Sequence, residues 1–215
     1  MIDGIHDGPD GGAYLAEAVL DPGTLESIRE ANLAFLELVA GQIRRRPGSP
    51  AYGLGPRTAG ALARLDALGL RAAASCPYTL FDLRFDDAAF WAGVARAARA
   101  PGPGLLGDEA TFSRTAVFLA WHLARSSELK AALVLGMSAP AHRSWLELPL
   151  AVLDHAGSLA LPALGARWGG HPRFWPRLLE AVSPVDAVRA GSVRQLGLQL
   201  LAADAIAQRA PDAAS

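Results

Sequence analysis

The chain has 215 residues and a formal net charge of −1, with 51% apolar and 19% charged residues. This length is enough to bury one sizeable core or two small packed units, and the composition is that of a globular protein. A charge near zero provides no overall positive field to hold nucleic acid by counterion release. Any binding to nucleic acid is therefore expected to be weak or to depend on a partner.

Three features of the sequence predict a cytoplasmic protein without a membrane segment. Cys76 is the single cysteine, which excludes an intramolecular disulfide. The first residues, MIDGIHDGPDGG, contain neither the basic nor the apolar region of a secretory signal. The most apolar run, residues 146–164, is interrupted by charged residues and prolines, so it lacks the continuous apolar length of a membrane span.

The first strong element is a long helix. Residues 1–23 are rich in Gly, Asp and Pro and are predicted to form a flexible arm, with Thr24 as the helix N-cap. Apolar residues then recur every three or four positions, and Pro47-Gly48 stops the helix. Two short helices follow, one opened by Gly55-Pro56 and one capped by Asp66.

The segment TLFDLRFD, about residues 79–85, predicts the one short strand. Phe81, Leu83 and Phe85 alternate with polar residues at a period of two. No second strand is evident in the sequence, and an unpaired strand edge favours pairing with another chain. We therefore predict that this strand pairs across a homodimer, with the three apolar residues at the interface.

Residues 100–107, APGPGLLG, are the clearest linker and mark the predicted boundary between two units. The first unit spans 24–100, and the second, 108–209, is predicted to pack on it. Helical periodicity continues through the second unit, with a restart at Ser126-Ser127 and a last helix opened by residues 183–186; residues 210–215 are expected to be a flexible tail. The predicted fold is mainly α, a multi-helix, bundle-like domain with one strand.

The sequence contains no motif that indicates catalysis or metal binding. Its five histidines and Cys76 do not stand at metal-ligand spacing, and no serine lies in a nucleophile elbow. No catalytic residue, cofactor-binding residue, metal ligand or cofactor is therefore predicted. The sequence favours a non-enzymatic protein over an enzyme.

Two residue groups are predicted to contact partners. The densest basic cluster consists of Arg44, Arg45 and Arg46 and is a candidate for phosphate contacts. The favoured alternative is that the three arginines complement a helix dipole in solvent. A later segment combines aromatic residues with arginines, which is typical of interfaces, and anchoring of a helical core is the alternative. Its candidate interface residues are Trp168, Phe174 and Trp175.

Residues 25–90 resemble the FlhD family, the helical subunit of bacterial flagellar transcriptional activators. The matching segments are NLAFLELVAGQI, AYGLGPRTAGALARL and LGLRAAASCPYTLFDLRFDD. The family has the same order of a long first helix, an aromatic-x-Leu-Gly turn, short helices and a strand ending in Arg-Phe-Asp. The landmarks here are Asn32, Leu33, Tyr52, Leu54, Gly55, Leu62, Ala63, Leu65, Arg84, Phe85 and Asp86. The similarity extends more loosely to about residue 137, and the C-terminal third has no counterpart in the family.

The resemblance implies a bacterial, cytoplasmic homodimer that regulates transcription through a second protein subunit. In the family, DNA binding belongs to a complex with a separate zinc-bearing subunit. This chain departs from the family at residues 56–58, where an acidic pair is missing, and Cys76 does not occupy the family's cysteine position. A second resemblance, of TAVFLAWHLARSSELKAAL to a helix of MbnC-like proteins, implies the alternative of an accessory partner subunit for a peptide-modifying enzyme.

Overall fold

The computed structural model describes residues 19–48, 51–100, 102, 104–182 and 187–209. The described residues form ten α-helices, two 3-10 turns and two short strands, which confirms the predicted mainly α fold. The helices are α1 (Pro22–Arg45), α2 (Pro56–Ala63), α3 (Ala67–Ala74), α4 (Ala88–Ala97), α5 (Asp108–Ser126), α6 (Glu128–Leu135), α7 (Ala139–Leu146), α8 (Leu153–Ala160), α9 (Phe174–Ala181) and α10 (Ala187–Arg209). The strands are β1 (Phe81–Asp82) and β2 (Gly165–Ala166), and the 3-10 turns are Leu150–Val152 and Leu161–Ala163.

Several predicted segments lie outside the described residues. These are most of the N-terminal arm, the tail at 210–215 and the predicted opening of the last helix at 183–186. Within the described ranges, no helix combines the length and the apolar run that a membrane crossing needs.

The N-cap of α1 lies three residues before the predicted one. Asp21, not Thr24, caps α1: its Oδ1 accepts a hydrogen bond from the Thr24 amide at 2.9 Å, and Pro22 takes the first helical position. The other oxygen of Asp21 accepts from Nζ of Lys130, on α6, at 2.7 Å. The hydrogen bonds from Lys130 and Thr24 hold the pKa of Asp21 well below its ordinary value. The start of α1 is therefore joined to α6.

Asn32 connects α1 to the segment that leads into β1. Its side chain is completely buried. Nδ2 donates to the carbonyl oxygens of Ala74, Cys76 and Tyr78 at 3.3, 3.3 and 2.9 Å, and Oδ1 accepts from the Leu80 amide at 2.8 Å. One carboxamide thus satisfies four backbone groups of an irregular segment in the core.

The predicted strand is shorter than expected and is paired within the chain. β1 consists of Phe81–Asp82 and runs antiparallel to β2, with Phe81 opposite Ala166 and Asp82 opposite Gly165. β2 is therefore a second strand that was not evident in the sequence. β2 is only two residues long and has no alternation of its own, so the periodicity of the sequence did not reveal it.

Phe81, Leu83 and Phe85 are completely buried in the core of the single chain, where a dimer interface had been predicted. The Phe81 ring packs against those of Phe35 and Phe112, at centroid distances of 5.7 and 4.9 Å. A single folded chain therefore does not expose these residues, and an unpaired strand no longer provides a reason for dimerisation. Phe81→Asp would bury an unpaired charge instead of weakening a dimer.

Helices on both sides of residues 100–107 contribute to one contiguous core. α1 packs against α2, α3 and α5, while α4 packs against α7 and α8. The indole rings of Trp91 and Trp145 lie 4.0 Å apart between their centroids, and Trp145 Nε1 donates to the Phe85 carbonyl at 3.1 Å. Apolar burial therefore connects the residues before the linker to those after it.

Gly157 allows backbone contact between α5 and α8. A Cβ at this position would lie 2.6 Å from the Cα of Arg114. Ser113 Oγ donates to the Gly157 carbonyl at 2.7 Å, so a hydrogen bond accompanies the close approach. The two helices can pack this closely only because Gly157 has no side chain.

Cys76 is a packed thiol. It is buried, its Sγ donates to the Ala73 carbonyl at 3.6 Å, and burial raises its pKa to about 11. The reactive form of cysteine is the thiolate. We therefore expect the folded protein to resist a disulfide reagent such as Ellman's reagent at about pH 8 and to react rapidly in denaturant. A native reaction rate equal to that of free cysteine would contradict this.

The same burial predicts a loss of stability in alkali. The ordinary pKa of the thiol is 9.0, whereas the folded protein holds the proton up to about 11. The stabilising contribution is complete below pH 9 and is lost as the pH rises through 11, because the unfolded chain releases its proton first. Denaturant unfolding should therefore give a lower free energy near pH 10.5 than near pH 8. Cys76→Ala should show a smaller decrease.

Candidate functional site

A small polar cavity lies where β1, β2, the turn after α6 and α10 meet. Its volume is about 240 Å³, and we call it the Arg167 pocket. The cavity is lined by three acidic residues and one basic residue from distant parts of the sequence: Asp82, Asp86, Asp204 and Arg167. No other charged residue among those that the structure describes lines it, and the rest of the wall consists of small and apolar residues with Trp168.

Arg167 follows β2 directly and is only 8% exposed. Its Nη1 donates to the Val134 carbonyl at 2.8 Å and to Thr79 Oγ1 at 3.2 Å. The Val134 carbonyl is at the C-terminal end of α6, where a cation also complements the helix dipole. Within the described residues, Nη2 has no hydrogen-bond acceptor and no carboxylate forms an ion pair with the guanidinium.

Two neighbours fix the position of the guanidinium. Its Cζ lies 4.8 Å from the centroid of the Trp168 ring, which is a cation–π contact. A Cβ at Gly136 would overlap Nη2, so a larger residue there would require the guanidinium to move. Gly136 and Trp168 both have left-handed backbones, with φ of 68° and 50°. Trp168 therefore adopts a conformation that favours glycine while its ring covers Arg167.

Each of the three carboxylates uses one oxygen for a hydrogen bond within the protein. The bonds run from Phe85 N to Asp82 Oδ1 at 3.1 Å, from Ser138 N to Asp86 Oδ1, and from Trp168 Nε1 to Asp204 Oδ2 at 3.3 Å. The second oxygen of each carboxylate has no donor in the part of the chain that the structure describes. The pocket therefore presents carboxylate oxygens and a buried guanidinium to the same small volume.

Burial and the nearby carboxylates act on Arg167 in opposite directions. Burial lowers the pKa of Arg167, and the negative charges of Asp82, Asp204 and Asp86 oppose that change. Three carboxylates around one guanidinium leave the pocket with a net negative charge. Such a lining is suited to holding charged groups of a ligand by hydrogen bonds and ion pairs.

The predicted aromatic interface residues lie mainly in the core. Phe174 and Trp175 are buried, as the core alternative expected, and Trp175 Nε1 donates to the Arg167 carbonyl at 2.8 Å. Trp168 is half-buried and packs edge-on against Tyr78 at 5.5 Å between ring centroids. Of the three, Trp168 lines the Arg167 pocket. Phe174 and Trp175 belong to the hydrophobic core and do not line the pocket.

The predicted phosphate contacts are exposed at the end of α1. Arg44, Arg45 and Arg46 are exposed, and none of them lines the Arg167 pocket. Arg45 borders a different cavity of about 410 Å³ between α1 and α5, together with Asp108 and Phe112. Contact with phosphate stays a prediction for this cluster.

A second concave surface runs along α2, α9 and α10, and we call it the arginine groove. It consists of two adjoining cavities of about 660 and 260 Å³ that share Glu180 and Arg189. Its floor includes the buried side chains of Leu179 and Val193. Its charged edge carries Arg57, Arg177 and Arg189 with one acid, Glu180. Among the described lining residues, arginines therefore outnumber carboxylates beside an apolar floor.

No protein-family model matches this chain, and the same is true of curated proteins and of solved structures. The FlhD resemblance therefore rests on the landmarks in the sequence. Sequence patterns also did not reveal the Arg167 pocket, because Asp82, Arg167 and Asp204 are widely separated along the chain. The one feature of the sequence that could have indicated the pocket is the cluster of arginines and tryptophans around residue 167.

Proposed function

We propose that this chain is a non-enzymatic helical module that acts in transcription regulation by binding a second protein subunit. The FlhD resemblance implies this class of function. The single structural observation that supports it is the arginine groove, an accessible surface with an apolar floor and a basic edge. A homodimer belongs to the proposal through the resemblance alone, since the paired strand no longer suggests one.

The groove favours a partner segment that is both apolar and acidic. Apolar side chains of such a segment would cover Leu179 and Val193, while its carboxylates would pair with Arg57 and Arg177. Guanidinium groups bind carboxylates through two parallel hydrogen bonds, which adds geometric selectivity to attraction. A helix or an extended segment with alternating acidic and apolar residues meets these requirements.

The second candidate is an accessory subunit that presents a peptide to a modifying enzyme. The same groove supports it, because a basic channel with an apolar floor also fits an acidic peptide. The two proposals differ in the occupant, which is a folded regulatory subunit in one and a small precursor peptide in the other.

The proposal is tested by isolating the natural partner and measuring its affinity for two charge-reversed variants. We expect Arg57→Glu with Arg177→Glu to raise the Kd by about 100-fold, because two attractive contacts become repulsive. The matched control, Arg44→Glu with Arg46→Glu, carries the same change of charge outside the groove. Its Kd should stay within about threefold of the unchanged protein. Equal weakening by both pairs would contradict a role for the groove.

DNA binding distinguishes the regulatory proposal from the accessory one. Mobility-shift assays at about 150 mM salt should show no selective binding by the isolated chain, and binding only after the partner is added. The control pair at Arg44 and Arg46 then tests phosphate contact, because it should weaken the DNA complex while leaving the partner bound. Nanomolar, sequence-selective binding by the isolated chain would contradict dependence on a partner.

A further inference from the structure

We infer that the Arg167 pocket binds a small zwitterion of the class of the free α-amino acids. The guanidinium would hold the carboxylate of the ligand, and the surrounding aspartates would hold its ammonium group. This inference concerns a different surface from the arginine groove and does not depend on the proposed partner.

The anionic end of the ligand is indicated by Arg167. A buried charge normally has an ion-pair partner, because its transfer from water is costly. Arg167 is 8% exposed and forms no ion pair with a described residue. Its contacts with Val134 and Thr79 use Nη1, and Nη2 has no acceptor within the described ranges. A ligand carboxylate in the cavity would provide the acceptor that Nη2 lacks.

The cationic end is indicated by the carboxylates that line the same cavity. Asp82, Asp86 and Asp204 each use one oxygen within the protein, and their second oxygens lack a donor in the described part of the chain. An ammonium group has three donors and can bond to oxygens in different directions. The combination of a guanidinium and several carboxylates therefore matches a ligand that carries an ammonium group and a carboxylate on the same carbon atom.

The size of the cavity agrees with this class of ligand. At about 240 Å³ it is smaller than the roughly 300–1,000 Å³ typical of sites for drug-sized ligands. A structural role for Arg167 in capping α6 explains the bonds of Nη1 alone. It does not explain why Arg167 and three aspartates line one cavity.

A bound zwitterion would connect α10 to the two-stranded sheet. Asp204 is on α10, Asp82 is in β1, and Arg167 follows β2. Among the described residues, Trp168 Nε1 joins Asp204 to this region by donating to its Oδ2 at 3.3 Å. Binding should therefore stabilise the docking of α10, and protection of its amides from hydrogen exchange should increase.

The test uses the full chain and a panel of single probes. Isothermal titration calorimetry and thermal unfolding are carried out with each standard α-amino acid at about 10 mM, which would saturate a site with a Kd of about 1 mM. At least one amino acid should bind at a single site and raise the Tm by about 3 °C. Acetate and ethylamine, which carry one charge each, should bind at least about tenfold more weakly.

Variants distinguish binding in the Arg167 pocket from binding elsewhere on the protein. Asp204→Asn keeps an oxygen for Trp168 Nε1 but removes a charge, so we expect the Kd to rise at least about tenfold with little change in the Tm of the free protein. Arg167→Lys should weaken binding further, and circular dichroism verifies that it folds. The control, Glu147→Gln, removes an exposed carboxylate outside the pocket and should bind normally.

Three results would overturn the inference. The first is the absence of binding by every amino acid of the panel. The second is equal affinity for ethylamine and for the best amino acid, which would leave Arg167 without a role. The third is unchanged affinity in Asp204→Asn, which would locate the binding outside this pocket.

Discussion

Replacement of Asn32 by alanine is expected to lower the free energy of unfolding by about 3–5 kcal/mol. The side chain is completely buried and makes four hydrogen bonds to the backbone between Ala74 and Leu80. Alanine would leave three carbonyl oxygens and one amide without these partners in a core that excludes water. Each unsatisfied buried group costs about 1–3 kcal/mol, and partial rearrangement reduces the sum.

Two further variants make the measurement specific. Asn32→Asp keeps the size of the side chain but directs a carboxylate oxygen at three carbonyl oxygens, so it should be at least as destabilising near neutral pH. Gln199→Ala also removes a carboxamide, but from an exposed position on α10, and should change stability by less than about 0.5 kcal/mol. Urea unfolding followed by circular dichroism provides the three values. A small effect of Asn32→Ala would contradict the central role of this side chain.

Two glycine-to-alanine substitutions are expected to act in opposite directions. Gly157→Ala should destabilise the protein by about 2–4 kcal/mol, because the new Cβ would lie 2.6 Å from the Cα of Arg114. The helices α5 and α8 must then separate, which also lengthens the bond from Ser113 to the Gly157 carbonyl.

The matched control is Gly93→Ala, in the exposed face of α4. No atom lies within 4 Å of a Cβ built there, so alanine brings only its better helix propensity. It should raise the free energy of unfolding by up to about 1 kcal/mol. Thermal and urea unfolding of both variants provide the comparison. A neutral or stabilising effect of Gly157→Ala would show that α5 and α8 do not touch as closely as described.

Sequence periodicity predicted the helices well because each of them buries one face. The long first helix, the restart at Ser127 and the linker before α5 were all marked by local signals of capping or apolar spacing. The predicted N-cap was wrong because Asp21 and Thr24 are both residue types that cap helices well. The contact that distinguishes Asp21 is its hydrogen bond from Lys130, which is 109 residues away in the sequence. Long-range contacts of this kind leave no local pattern.

The strand and the pocket show the same limit. Alternation of apolar and polar residues identified Phe81 as part of a strand. Its partner Ala166 lies in a strand of only two residues, which is too short to produce a periodic pattern in the sequence. The charged residues of the Arg167 pocket each have an ordinary local explanation, such as Asp86 near a helix start. Only the fold brings them to one cavity, so residue-by-residue interpretation assigned no site to them.

The pairing of β1 with β2 has a consequence for the order of events during synthesis. Phe81 and Asp82 leave the ribosome more than 80 residues before their partners at Ala166 and Gly165. Until residues 165–166 have been synthesised, the apolar segment around Phe81 lacks the strand that pairs with it. The N-terminal half of the chain therefore cannot finish folding early. A chain released after residue 100 would lack that cover permanently. Its exposed edge and phenylalanines would make it prone to aggregation.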